Sequence, residues 1–160
     1  MKSLAPILLP DLSEVIAHAE EEYPRESCGV LLVRDGRWRV RRMVNAYDRY
    51  HAKDPSRFPR TSRTAYLFDP KEWLQISQEA EEQGEQVACV YHSHIDAGAY
   101  FSAEDRAMAA PDGEPILPGT AYLVLAVDAG KVTAAKLFRW QEGEFQETPV
   151  VLSRSSDLNL

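Results

Sequence analysis

Cysteine is scarce in this chain, with only Cys28 and Cys89 among 160 residues, each inside an apolar stretch. That excludes a secreted disulfide framework and leaves two buried, reduced thiols as the expectation. Long hydrophobic runs are missing as well. The apolar run from Leu4 to Leu9 is interrupted by Pro6 and closed by Pro10, and it lacks a cleavage pattern, so it reads as no signal peptide. Nothing approaches the ~18 apolar residues of a membrane span, which makes the cytoplasm the expected compartment. There is no internal repeat and no low-complexity tract. Nor is there the basic balance of a nucleic-acid binder, because the formal net charge is −7. With 44% hydrophobic residues, the chain has material for one well-packed domain and too little for two. The expected division is a single domain over 1–152 and a loose polar tail over 153–160.

Histidine is also rare, but its placement is informative. Two of the four histidines stand at His92 and His94, followed by Ser102 and Asp105. Val87-Ala88-Cys89-Val90-Tyr91 reads as a buried strand running into them. Side chains alternate along a strand, so His92 and His94 share a face while Ser93 points away. Ser102 then begins a run of good helix formers, which puts Asp105 in a first helical turn. A loop between them can fold Asp105 back to the histidines. Two imidazoles, one carboxylate and an open fourth position form the donor set of a catalytic zinc rather than a closed structural one. Ser-x-x-Asp is equally a near-capping box at a helix start. The two roles of Ser102 are compatible if its backbone caps the helix while its hydroxyl faces the metal. A water on such a site needs a base, and Glu26 precedes the apolar segment Cys28-Gly29-Val30-Leu31-Leu32 at the end of an acidic helix. Glu20, Glu21 and Glu22 nearby read as a solvated helix end.

Glu26 before Cys-Gly-Val-Leu-Leu, with His92-x-His94-x7-Ser102-x2-Asp105, resembles the JAMM signature of the MPN+ (JAB) metalloprotease family. The succession of elements fits that family from about residue 3 to residue 151. It is most similar to the small stand-alone prokaryotic branch, which processes ubiquitin-like sulfur-carrier proteins. The resemblance implies that His92, His94 and Asp105 ligate Zn(2+), that Glu26 is the general acid/base and that Ser102 stabilises an oxyanion. It implies hydrolysis of the amide bond after the C-terminal Gly-Gly of a ubiquitin-like or sulfur-carrier protein, with no acyl-enzyme and no nucleophilic cysteine. Many members have Pro after the second His and before the Ser, where this chain has Ile95 and Phe101. That departure bears on loop shape and substrate preference, not on the ligands. Two other readings stay open: a noncatalytic MPN-type interaction module, and a zinc deaminase. The second lacks the His-x-Glu and Pro-Cys-x-x-Cys ligands it would need.

The expected order of elements is a helix over 11–22, a strand over 28–34, an Asp35-Gly36 turn and a strand over 38–45. An irregular segment and a short strand near 65–68 follow, then a helix from Asp69-Pro70 to about Gln83 closed by Gly84. After the histidine strand and the Ser102 helix come strands near 121–127, 132–140 and 145–152. Mixed strands and helices give an α+β fold, an α/β/α sandwich with a mixed central sheet. The resemblance makes its core cytidine-deaminase-like. Charge is unevenly spread, since residues 34–63 carry ten basic against three acidic residues. The segment is either a solvated hairpin face or a docking rim for an acidic carrier. Trp73 and Tyr91 read as core, and one of Tyr100 and Phe101 as a wall of the cleft.

Overall fold

The computed structural model describes residues 7–152; the expected tail lies outside them. In chain order the elements are β1 (Ile7–Leu9), α1 (Ser13–Glu22), β2 (Cys28–Arg34), β3 (Arg37–Met43), α2 (Tyr47–Lys53) and α3 (Pro70–Gln83). They continue with β4 (Gln86–Ile95), α4 (Ala103–Ala109), β5 (Ala121–Asp128), β6 (Lys131–Gln141), β7 (Glu144–Thr148) and β8 (Val150–Leu152). A six-stranded sheet runs β3-β2-β4-β5-β6-β7, with β1 and β8 forming a separate parallel pair. Only β4 and β5 run parallel within the large sheet. A parallel pair needs a long crossover, and here the crossover carries α4.

Local chemistry explains the boundaries. The β2–β3 turn holds Asp35 at φ 49 and Gly36 at φ 76, the two left-handed residues that a tight hairpin demands. For α3, the Asp69 side chain accepts the Lys71 N–H, Pro70 takes the first position, and Gly84 ends the helix at φ 68. The two faces of the sheet have separate cores. Val15 and Ala19 of α1, with Leu12 just before it, cover Leu31, Tyr91, Leu123 and Leu125 on one side. Ile76 and Ala80 of α3 and Ala109 of α4 cover Val30, Leu32, Val90 and Val124 on the other. This is the expected sandwich, and each fully buried leucine contributes about 1.5–3 kcal/mol. Gly29 is required by close approach, for a Cβ there would lie 2.5 Å from both Tyr91 Cζ and the Arg41 carbonyl oxygen. Among the described residues no helix is long and apolar enough to cross a membrane.

Three elements differ from expectation. The irregular segment contains α2, seven residues long, with Asp48 in its first turn and His51 and Lys53 in its last. The strand expected near 65–68 is a single bridge between Asn45 and Phe68. The last expected strand splits at Pro149, which has no N–H to give a ladder. Beyond it β8 leaves the main sheet and pairs with β1.

Candidate metal centre

β4 lies between β2 and β5, with His92 opposite Cys28 and Val124, and His94 opposite Ala126. The alternation puts Val90, His92 and His94 on the α3–α4 face. Asp105 arrives from α4, where a capping box fixes it: Ser102 Oγ accepts the Asp105 N–H at 3.0 Å, and Asp105 Oδ2 accepts the Ser102 N–H at 3.0 Å. The Ser102 hydroxyl itself is thus the cap, not the backbone alone as expected. It accepts in that role and still has its O–H proton to give.

Three side chains meet at one point. His92 Nε2 and His94 Nε2 are 3.2 Å apart, and they stand 3.1 Å from Asp105 Oδ1 and Oδ2 respectively. Ligands about 2.0–2.1 Å from a tetrahedral zinc are roughly 3.3 Å from one another, so the triangle has the size of a zinc face. Protonation supports the same fit. His94 Nδ1 donates to the Gly98 carbonyl at 3.1 Å, and a histidine held that way presents the Nε2 lone pair of its metal-binding form toward a carboxylate oxygen. Acceptors facing acceptors repel unless a cation joins them. All three residues are buried, and they can hold one metal ion. Burial holds the His92 pKa below its ordinary value, which favours the neutral ligand form. Burial alone would raise Asp105, but contact with the His92 and His94 imidazoles and the Ser102 N–H holds it well below the carboxylate range.

Glu26 shares the cleft with His94, Ser102 and Asp105, a hollow of about 140 Å³. It is 5% exposed. Burial, then the charge of Asp105, pushes its carboxyl up to about 9, with Arg60 pulling the other way. A cation beside it would draw that value down again. An apolar hollow of about 280 Å³ adjoins the cleft and shares Tyr66 and Met108 with it, but it contains no acid or base.

Residues 9–141 match the family model described as prokaryotic homologs of the JAB domain. The chain belongs to that family. A Haloferax volcanii protein named desampylase is 31% identical over 142 residues, covering 86% of this chain and 88% of its own. A Mycobacterium tuberculosis protein named CysO-cysteine peptidase is 31% identical over 110 residues, covering 68% of each. The solution structure of a Desulfitobacterium hafniense protein is similar at TM-score 0.65 and 25% identity, covering 94% of this chain and 96% of that one.

The surroundings of this JAB site hold features that short-range pattern did not reveal. Tyr66 stacks on His92 with ring centroids 4.4 Å apart. Tyr100, 50% exposed, sits edge-on to His94 and lines the cleft, whereas Phe101 turns inward against Tyr122, Phe138 and Phe145. Trp73 packs on Phe68 against the core. Neither thiol is a nucleophile: Cys28 and Cys89 are free and buried, and burial pushes both well above the ordinary thiol range. Much of the basic segment is neutralised within the fold. Arg39 pairs with Glu85, Arg41 with Glu79, Arg42 with Glu14 and Glu21, Arg49 with Asp69 and Arg60 with Glu104.

Proposed function

We propose that this chain is a zinc-dependent peptidase that hydrolyses the amide bond after the C-terminal Gly-Gly of a ubiquitin-like or sulfur-carrier protein. The observation that carries the reading is the meeting of His92, His94 and Asp105 in one cleft with Glu26. His92, His94 and Asp105 would hold the zinc, which supplies Lewis acidity and a water acidified toward neutral pH. Glu26 accepts the proton as the water oxygen attacks the carbonyl carbon, then passes it to the departing amine. Burial suits it to the first step by making the carboxylate a stronger base, and a metal cation beside it would lower its pKa and so help it give the proton back. The Ser102 hydroxyl, its lone pair engaged by the Asp105 N–H, donates to the oxygen on which charge develops. Tyr66 and the Gly98 carbonyl hold the imidazoles in place. A Gly-Gly tail suits a narrow cleft, since a segment without side chains can thread it in extended form. The names of the desampylase and CysO-cysteine peptidase relatives support a peptidase of this kind. The buried free thiols fit a cytoplasmic location.

The test is mass spectrometry of a Gly-Gly carrier extended by one residue, before and after incubation with zinc-loaded protein. Loss of that residue's mass, abolished by a chelator, is the expected result. An unchanged carrier with zinc bound would leave only an interaction module.

A further inference from the structure

Arg63 lines the same cleft as Glu26, His94, Ser102 and Asp105, and the hydrolysis described above does not use it. Its backbone sits in a bracket built around Glu26. The Glu26 N–H donates to the Ser62 carbonyl at 2.7 Å. Ser62 N–H and Oγ donate to the Asp48 carboxylate at 2.7 and 2.6 Å, and Arg60 Nη1 donates to the Thr64 carbonyl at 3.2 Å. The residues on both sides of Arg63 are thereby fixed, and one is tied directly to the main chain of Glu26. The Arg63 side chain is nevertheless exposed, and among the described residues it has no ion pair. The acids around it are committed. Glu104, on the cleft wall, is taken by Arg60 at 2.5 Å, Asp105 by the two histidines, and Asp96 by the Tyr23 hydroxyl and the Ala129 N–H. An exposed guanidinium on a fixed stretch of backbone therefore lines the cleft without an ion-pair partner among the described residues.

The amine released after a Gly-Gly tail belongs to one of two classes. A single amino acid brings an α-carboxylate two bonds from the scissile nitrogen. A protein lysine brings an apolar stem and no charge near that bond. The geometry points to Arg63 as the group that binds the α-carboxylate of a one-residue leaving group, so that the chain removes a single C-terminal amino acid rather than releasing a lysine. A guanidinium fork matches a carboxylate in shape and charge, whereas a lysine stem in the same place would cover the fork and leave it unpaired. The C–N bond breaks, the water oxygen bonds to the carbonyl carbon, and the proton goes to the nitrogen. The guanidinium–carboxylate pair neither gains nor loses a proton. The inference rests on the peptidase reading and specifies its leaving group.

Paired peptides ending in Gly-Gly-Ala test it, one with a free C-terminal carboxylate and one with a carboxamide. Wild-type protein is expected to prefer the carboxylate by roughly tenfold in kcat/KM, mostly through KM. In Arg63→Ala the preference falls to about one, and in Arg63→Lys part of it returns, because a lysine supplies charge without the fork. A wild-type ratio of about one, or a ratio unchanged in Arg63→Ala, overturns the assignment while the peptidase reading stands. Cleavage of neither peptide, with a carrier–lysine conjugate cleaved instead, overturns it as well. If no Gly-Gly substrate of any kind is cut, it is the peptidase reading that fails.

Discussion

The two faces of β4 treat buried polar groups in opposite ways. On the α1 face, Tyr91 Oη and His18 Nδ1 meet at 2.6 Å, and Ser93 Oγ accepts from the Ser27 N–H at 2.8 Å. Each is a closed pair, donor matched to acceptor, and burial, the largest influence on His18, keeps its pKa low and its ring neutral. On the α3–α4 face, one residue further along each time, His92 and His94 converge on one carboxylate, and the buried His92 Nδ1 has no hydrogen-bond partner among the described residues. The two faces thus set His18, in a closed structural pair, against the two histidines proposed to bind metal. Burial is common to both and decides nothing. The count of donors against acceptors separates them.

The sharpest way to break this comparison is to remove one member from each face. Asp105→Ala or His94→Ala is expected to abolish stoichiometric zinc binding and lower peptide hydrolysis by about 10³-fold or more. Tyr91→Phe should cost about 1–3 kcal/mol of stability by stranding His18, with one zinc per chain retained. Elemental analysis and denaturant titration read both. Full zinc in Asp105→Ala, or its loss in Tyr91→Phe, would erase the distinction between the faces.

Glu26→Gln is expected to keep zinc and lose about 10²–10⁴ in turnover, since an amide cannot carry the proton. Its stability should show a second sign of the same carboxyl. The folded pKa of Glu26 is raised from 4.5 to about 9 in the metal-free protein. A group raised on folding contributes stability that is full below its unfolded value and lost as pH climbs through the folded one. Metal-free wild type should therefore weaken between about pH 4.5 and 9 by a few kcal/mol more than Glu26→Gln does. Parallel pH profiles for the two proteins would show that Glu26 is not held neutral by its surroundings.

The serines give a smaller contrast. Ser102→Ala should lower kcat by roughly 10²-fold and cost about 1 kcal/mol through the lost cap, with zinc retained. Ser93→Ala on the opposite face should cost stability alone, about 1–3 kcal/mol, by leaving the Ser27 N–H without its acceptor. A drop in kcat for Ser93→Ala as large as that for Ser102→Ala would mean that both act only by holding the local structure, Ser93 the strand and Ser102 the start of α4.

What could be read from the chain follows the same division between local and distant causes. The alternation that puts His92 and His94 on one face, the Ser102 start of α4 and the Asp69-Pro70 to Gly84 helix all rest on neighbours within a few residues, and all are legible. The helix α2 is too short for a period to declare itself, and its entry depends on the Asn45 side chain accepting the Tyr47 N–H. The β1–β8 pair joins residues more than a hundred positions apart, which no window reveals. At the site, the motif placed the triad, but Tyr66 over His92 and Arg63 in the cleft come from a loop whose path is set by Asp48, Ser62 and Glu26 together. The charge excess of residues 34–63 was visible as well, though its partners were not, because most lie on α1, α3 and α4.

Those partners make the smallest prediction the most discriminating for docking. Arg57 has no acidic partner among the described residues, whereas Arg39 is held by both oxygens of Glu85 at 3.0 and 2.7 Å. If an acidic carrier approaches this face, Arg57→Glu should slow association a few-fold and flatten its salt dependence, with thermal stability unchanged. Arg39→Glu should do the reverse, lowering stability by up to about 1 kcal/mol with little effect on the association rate, because its charge is already spent within the fold. Stopped-flow association at two ionic strengths, beside thermal unfolding, separates the two outcomes. Equal association rates for Arg57→Glu and wild type would confine carrier recognition to the cleft itself. Arg39, Arg41 and Arg42 of β3 would then act only within the fold, as counter-charges to Glu85, to Glu79 of α3 and to Glu14 and Glu21 of α1.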